Sequence, residues 1–403
     1  MLGTNNVFGI TGSRGNGDCA MIYLDNAATT IRKPETVGQA MLAALQGWGN
    51  SSRGVHESSL QAARAVFGAR RKIADFFGCS RPDQVVFTAN VTESLNVAIN
   101  GLIRPGDRVV TTALEHNSVL RPLFRLQDEQ GVDLAIVPAD QQGNLDYGAL
   151  RQMVTSATKA VVCTQASNLT GNLVDVARLS ELAHRVGALV IVDAAQTAGT
   201  RRVNMDELGA DVLCFTGHKG LLGPQGIGGL CARPDLAWRP FKVGGTGVQS
   251  YSRTQPKQMP ALLEAGTLNG PGIAGLAAAL DFLESVGVEA VEHHELELTR
   301  LFYRGVKDLP GVTVYGDFSG ARAGIVALNI ADYEAGMVAD ALSEEFGIAT
   351  RAGAHCAPLM HRALGTQERG AVRFSFSWFT SVDEVERAVT AVESLLDRPP
   401  LAL

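Results

Sequence analysis

Between about residues 35 and 265, short apolar runs rich in branched residues alternate with stretches of helical periodicity, and this rhythm leaves few folds open to the chain. Strands are expected at 85–89, 108–113, 134–138, 160–166, 189–193, 212–216 and 227–232. Helical patterns fall between them at 57–77, 92–101, 118–130, 147–156 and 176–186. Alternation at this spacing predicts an α/β fold, with a mostly parallel seven-stranded sheet flanked by helices on both faces. In such sheets chemistry gathers at the carboxyl ends of the strands. Asn168, Asp193 and Thr216 fall at those ends, so one shared cleft is expected.

After Gly266 the texture changes. A long helical region runs over 273–307 and breaks near Gly287. Strands are then expected at 312–315 and 325–330, a helix at 335–346, strands at 349–352 and 372–377, and a last helix at 382–396. This reads as a smaller α+β domain. The domain boundaries expected are 36–280 for the large domain, and 21–35 with 281–403 for the small one. Residues 1–20 are rich in Gly, Asn, Ser and Thr, without periodicity or an apolar core, so they are expected to be a disordered leader preceding a native start at Met21.

With 403 residues and 46% apolar content, the chain can bury two cores. Its net charge is -6, with no run of five like charges and no basic stripe interleaved with aromatics, so nucleic acid is not an expected partner. No stretch approaches the length of a membrane span. The six cysteines show no CxxC pair, and Cys163, Cys214 and Cys231 sit in apolar runs. Reduced cytosolic cysteines behave this way, so a cytoplasmic protein with no metal site is expected.

Lys219 lies just beyond a predicted strand, in Thr216-Gly217-His218-Lys219-Gly220, among glycines that let backbone approach a ligand. No Ser or Thr follows the lysine, which excludes a Walker A loop, and no strand leads into a GxGxxG helix start. Asp193 closes a neighbouring strand; a carboxylate there caps the next helix or holds a cofactor's pyridine nitrogen protonated. A lysine and an acid so placed suit a pyridoxal-phosphate enzyme, since an amine condenses with the cofactor aldehyde. Gln196 either reaches the ring hydroxyl or is a surface polar residue, and the His116 imidazole either stacks on the ring and moves protons or is a structural or solvated loop histidine. Thr92 opens a helix directly after a strand, a place where free N–H groups and the helix dipole attract phosphate or where a threonine simply caps. Thr216 and His218 flank the lysine and complete the cradle.

Cys356 differs from the strand cysteines, because it sits in a Gly-, Ala- and Pro-containing loop beside His355 and between Arg351 and Arg373. Cationic neighbours favour the thiolate, the nucleophilic form. Arg373 interrupts an otherwise apolar strand, and such an arginine takes an anionic partner, either a substrate α-carboxylate or a structural carboxylate. His184 and the His293-His294 pair read as solvated helix-face residues.

Over nearly all of 21–398 these segments together resemble the class V aminotransferases among fold-type I pyridoxal-phosphate enzymes, and within them the cysteine desulfurases and selenocysteine lyases of the SufS-like subgroup. The resemblance is carried by Tyr23-Leu24-Asp25-Asn26-Ala27-Ala28-Thr29-Thr30, Arg53-Gly54-Val55-His56, Asn90-Val91-Thr92-Glu93, Glu115-His116, Ser167-Asn168, Val192-Asp193-Ala194-Ala195-Gln196, Gly217-His218-Lys219, Glu264-Ala265-Gly266-Thr267 and Arg351-Ala352-Gly353-Ala354-His355-Cys356-Ala357. It implies that Lys219 is the Schiff-base lysine and moves the α-proton. It implies that His116, Asp193 and Gln196 hold the ring, and that Thr92, Thr216 and His218 hold the phosphate. Thr267 matches a position that reaches the phosphate of a partner subunit, implying a homodimer. Asn168 and Arg373 match carboxylate-binding positions, with Arg351 and His56 near the substrate. Cys356 matches the nucleophile that takes sulfur from L-cysteine and passes it to a small thiol or an acceptor protein. The alternatives are a selenocysteine lyase releasing selenide and L-alanine from L-selenocysteine, in which the cysteine matters less, or another class V aminotransferase or lyase, which needs no thiol at 356. Two departures stand out: Ala354 where relatives often carry a histidine, and a short segment at 245–263.

Overall fold

The computed structural model describes residues 21–51 and 54–396. The expected leader at 1–20, with Cys19, and the Arg53 of the second motif lie outside the described residues. The chain opens with a two-residue strand, β1 (Ile22–Tyr23), and two helices, α1 (Glu35–Gly47) and α2 (Glu57–Phe77). It then builds β2 (Val85–Thr88), α3 (Val91–Leu102), β3 (Arg108–Thr112), α4 (Asn117–Gln130), β4 (Asp133–Val137) and α5 (Tyr147–Met153). Next come β5 (Thr158–Thr164), α6 (Val176–His184), β6 (Leu189–Asp193), α7 (Met205–Leu208), β7 (Val212–Thr216) and β8 (Gly228–Ala232).

Strands β2 to β8 form one seven-stranded sheet in the order β2-β8-β7-β6-β5-β3-β4. All neighbours are parallel except those of β8, which runs against both β7 and β2. The alternation of the strands supplies two cores. Val85, Phe87, Val161, Cys163, Leu213 and Phe215 pack on one face. Val86, Val162, Val212 and Cys214 pack on the other, against α3 and α4. A strand covered on both sides has no polar face to show, which is why these segments read as continuous apolar runs.

Two helices follow, α8 (Gly270–Val286) and α9 (Val288–Val306), broken where expected by Gly287 with a φ of 88°. The remaining elements are β9 (Val312–Tyr315), β10 (Ile325–Ile330), α10 (Ala335–Phe346), β11 (Ile348–Ala349), β12 (Arg351–Gly353), α11 (Pro358–Leu364), β13 (Ala371–Ser375) and α12 (Val382–Leu396). A four-stranded sheet, β12-β13-β10-β9, is antiparallel throughout. The single strand expected at 349–352 is two short strands in different sheets. β11 pairs with the amino-terminal β1, whereas β12 pairs with β13. Its few residues show no pattern that marks such a change of partner. A separate core surrounds this region: Phe302, Val326, Leu328, Phe374 and Val385 pack with Ile22 and Leu24.

The parallel strands and β2 all point their carboxyl ends at one edge of the large sheet. The order reverses there between β3 and β5, and such a switch point opens a crevice. Among the described residues no helix is long and apolar enough to cross a membrane.

Candidate active site

The crevice gathers its residues from loops just beyond five strands: Thr92 after β2, His116 after β3, Asn168 after β5, Asp193 at the end of β6, and Thr216 to Lys219 after β7. Lys219 is fixed from behind, because Thr30 Oγ1 donates to its carbonyl at 3.2 Å and to that of His218 at 3.1 Å. Gly199 packs against the same turn; a Cβ there would sit 2.3 Å from the Gly220 carbonyl oxygen. The Lys219 amine is pulled down to about 8, first by burial and then by Arg373 and Arg351, against the opposing pull of Asp193 and Asp25. Asp193 is buried and its acidity is weakened by burial, partly offset by the Ala195 N–H donating to Oδ1 at 2.9 Å and by Lys219.

His116 caps α4: Nδ1 accepts the Ser118 N–H at 3.0 Å, so Nε2 carries the proton of the neutral ring. Burial, followed by the charges of Lys219 and Arg351, lowers its pKa to about 4. Thr92 is not the helix cap. Asn90 caps α3 by accepting the Glu93 N–H at 3.0 Å, and Thr92 is the second residue of the helix, its hydroxyl 2.8 Å from Ser118 Oγ. Ser118 therefore links Thr92 to His116, a role nothing in its sequence surroundings signals.

The cysteine loop is held by main-chain contacts. Asn168 Nδ2 donates to the His355 carbonyl at 2.7 Å, and the Asn117 N–H donates to the Cys356 carbonyl at 2.8 Å. His355 and Cys356 are both left-handed, at φ 50° and 55°, a conformation that costs on the order of 1–3 kcal/mol per residue and persists only where surroundings enforce it. One expectation changes here. His355 Nε2 donates to the Arg351 carbonyl at 3.0 Å, and burial with the nearby Arg373 drives its pKa to about 3. It is neutral, so the positive charge beside the sulfur comes from Arg351, whose Nη2 lies 3.9 Å from Cys356 Sγ. Cys356 lines an open cleft together with His116 and Thr92. The thiol and Lys219 line neighbouring parts of the fold rather than one cleft, and what relates them is charge: Arg351 stands beside the sulfur, and both Arg351 and Lys219 act on the His116 ring.

Arg373 is 1% exposed and its Nη2 pairs with Asp25 Oδ1 at 2.7 Å, while Nη1 donates to the Asn168 carbonyl at 2.9 Å. The structural partner is therefore present, and Nε is still without one among the described residues. Gln196 Nε2 donates to the Ala27 carbonyl at 3.2 Å. Two residues lie apart from this cluster in the chain's own fold. Thr267 is exposed in a separate cleft near Glu93 and Lys242, and His56 is exposed with Nε2 3.1 Å from Ser59 Oγ. Of the histidines set aside, His294 is held by the Thr380 carbonyl at 2.9 Å and stacks edge-on with Trp378, and His184 Nε2 lies 3.0 Å from Asp211 Oδ2.

Residues to which the sequence assigns no role also stand beside the crevice. Glu115, fully buried, accepts from Thr112 Oγ1 at 2.6 Å and the Thr164 N–H at 3.0 Å, and burial pushes it up to about 8. Lys33 donates to the His218 carbonyl at 3.0 Å and is lowered to about 8 by burial. Three buried polar atoms at the crevice have no partner among the described residues: Thr216 Oγ1, His218 Nδ1 and Asn168 Oδ1. Such atoms are costly unless a ligand engages them. Together with the first-turn amides of α3, which have no intrahelical acceptor, they fit a ligand carrying a phosphate and a polar ring.

The aminotransferase class-V family model matches residues 22–388. A cysteine desulfurase from Haloferax volcanii is 34% identical over 387 residues, covering 93% of this chain and 89% of that protein. The apo structure of a cysteine desulfurase from Thermococcus onnurineus is 36% identical with a TM-score of 0.88, covering 93% of this chain and 94% of its own. The cysteine desulfurase CsdA from Escherichia coli is 30% identical with a TM-score of 0.84, covering 94% of this chain and 95% of its own. Matched over almost its whole described length in sequence and in three dimensions, the chain belongs to the class-V aminotransferase family.

Proposed function

We propose that the protein is a pyridoxal-phosphate-dependent cysteine desulfurase that moves sulfur from L-cysteine onto Cys356 and releases L-alanine. The observation that carries this reading is the convergence of Arg351 on both partners, 3.9 Å from the Cys356 sulfur and electrostatically coupled to the Lys219 amine. When bound, pyridoxal phosphate supplies an aldehyde that condenses with amines and a ring that withdraws electrons from the substrate α-carbon. Lys219 would hold the aldehyde carbon, Asp193 the ring nitrogen and Gln196 the ring hydroxyl, with the His116 ring stacked above. Thr92, Thr216, His218 and the amino end of α3 would hold the phosphate. Lys219, with an amine pKa of about 8, is suited to take and return the α-proton near neutrality. Asn168, Arg373 and Arg351 would orient the substrate carboxylate. Cys356 Sγ bonds the substrate sulfur as the carbon–sulfur bond breaks; the bonding pair leaves with the carbon fragment, which is protonated to L-alanine.

In this reading residues 36–280 form the cofactor domain, and 21–35 with 281–403 form the smaller domain carrying the cysteine loop. Thr267 serves a partner subunit's phosphate in a homodimer, which accounts for its distance from this chain's own lysine. The five described cysteines are free thiols, in keeping with a cytoplasmic enzyme. The test is incubation with L-cysteine and a reductant, with sulfide and alanine measured together. Cys356→Ala should abolish alanine formation while keeping the cofactor's visible absorbance; undiminished alanine would refute the role of the thiol. Relative rates on cysteine and selenocysteine in both proteins separate a desulfurase from a selenocysteine lyase.

A further inference from the structure

The cleft over Cys356 carries an unbalanced positive charge. Its wall is one face of α4, where Arg121 and Arg125 stand four residues apart and so project to the same side. Arg121 is exposed, and no hydrogen bond or ion pair engages it among the described residues. Arg125 donates only to a neutral group, Asn100 Oδ1, at 2.5 Å. Arg351 adds a third guanidinium beside the sulfur. Among the described residues no carboxylate lines the cleft, although the chain as a whole has a net charge of -6. A cleft lined by charge of one sign draws ligands of the other, so arginines around a thiol favour an anionic visitor. The space is about 440 Å³ including the part beside Thr92 and His116 that the cofactor would take, in the range of small-molecule sites.

We propose that this cleft selects a small thiol bearing carboxylates as the acceptor of sulfur from Cys356. The inference rests on the sulfur-transfer reading of Cys356 and names the acceptor class that reading leaves open. In the transfer, the acceptor thiolate attacks the outer sulfur of the Cys356 persulfide. A new sulfur–sulfur bond forms, the old one breaks, and its electron pair returns to Cys356 Sγ, so no external oxidant or reductant is needed. Arg121 and Arg125 act on the acceptor's carboxylates as specificity residues and touch none of the reacting atoms.

The test loads Cys356 of the cofactor-containing enzyme with sulfane sulfur from inorganic polysulfide and follows its loss by intact-protein mass spectrometry. Mercaptosuccinate, 3-mercaptopropionate, 2-mercaptoethanol and cysteamine serve as acceptors. Thiols differ in intrinsic reactivity, so each acceptor's rate is compared between wild type and Arg121→Glu/Arg125→Glu, which cancels that difference. The reversal should slow mercaptosuccinate on the order of tenfold and speed cysteamine, and added salt should shrink both effects. Arg121→Gln/Arg125→Gln should give an intermediate result, with circular dichroism and cofactor absorbance unchanged to show an intact fold. Equal wild-type-to-variant ratios for all four thiols would overturn the proposal, as would failure of Cys356 to take up sulfur. An effect confined to acidic peptide thiols and absent for mercaptosuccinate would overturn the small-molecule assignment. Charge selectivity in an enzyme that forms no alanine from cysteine would sustain this inference while removing the desulfurase reading.

Discussion

Asp25→Ala should destabilise the protein through Arg373, a residue 348 positions away in the chain. Arg373 is 1% exposed, and Asp25 is the carboxylate that balances its charge. Removing one member of a buried ion pair strands the other charge away from water, at a cost of about 3–5 kcal/mol. Asp25 itself is 21% exposed, so water reaches that end of the pair and the lower figure, about 3 kcal/mol, applies. At about 2.1 cal/mol/K of unfolding entropy per residue, a chain of this size should lose roughly 4 °C of thermal midpoint. Arg373→Met should cost a similar amount, because it also gives up the bond to the Asn168 carbonyl. The double variant leaves no stranded charge, so its loss should resemble one single variant and fall well short of their sum. Differential scanning calorimetry of the cofactor-free protein at fixed pH and salt measures all four corners of this cycle. Strict additivity, or an Asp25→Ala midpoint within a degree of wild type, would show that the pair is not the buried charge balance argued above.

In the cofactor-free protein, labelling of the Lys219 amine by an acylating reagent should rise through a midpoint near pH 8, mapped by peptide mass spectrometry. Asp193→Asn should move that midpoint lower, since the carboxylate is the strongest influence keeping the amine protonated; a midpoint that stays put or rises contradicts this. Glu295 is buried on α9, beside a small cavity it shares with Gln196 and Ser377, and burial raises its pKa well above 4.5. The folded state therefore keeps a proton that the unfolded chain releases. Its contribution is full below about pH 4.5 and falls by about 1.4 kcal/mol per pH unit above it, up to the folded pKa. Glu295→Gln should thus gain thermal midpoint relative to wild type between pH 5 and pH 8, and a flat or inverted difference would sink the argument.

Much of the architecture was legible in the order of residues alone. Buried parallel strands must be apolar on both faces, and helices must pay for theirs with a stripe, so the alternation over 85–232 was visible as pattern. The same regularity places Asn168, Asp193 and Thr216 at one edge of the sheet, where the structure has them. Short-range turn chemistry was less legible: that Asn90, not Thr92, caps α3 depends on one backbone torsion pair.

Tertiary structure alone decided what depends on neighbours distant in the chain. Pairing of Arg373 with Asp25 requires β13 to pass beside the chain just after β1, and no local pattern encodes that adjacency. The neutrality of His355 is likewise a matter of burial and of the carbonyl its ring engages, whereas sequence proximity suggested a cation. Residue types and their periodicity determine which segments become strands and helices, because those preferences act over a few residues. Charge state and partnership arise from desolvation and distance, and these exist only once the chain has closed around them.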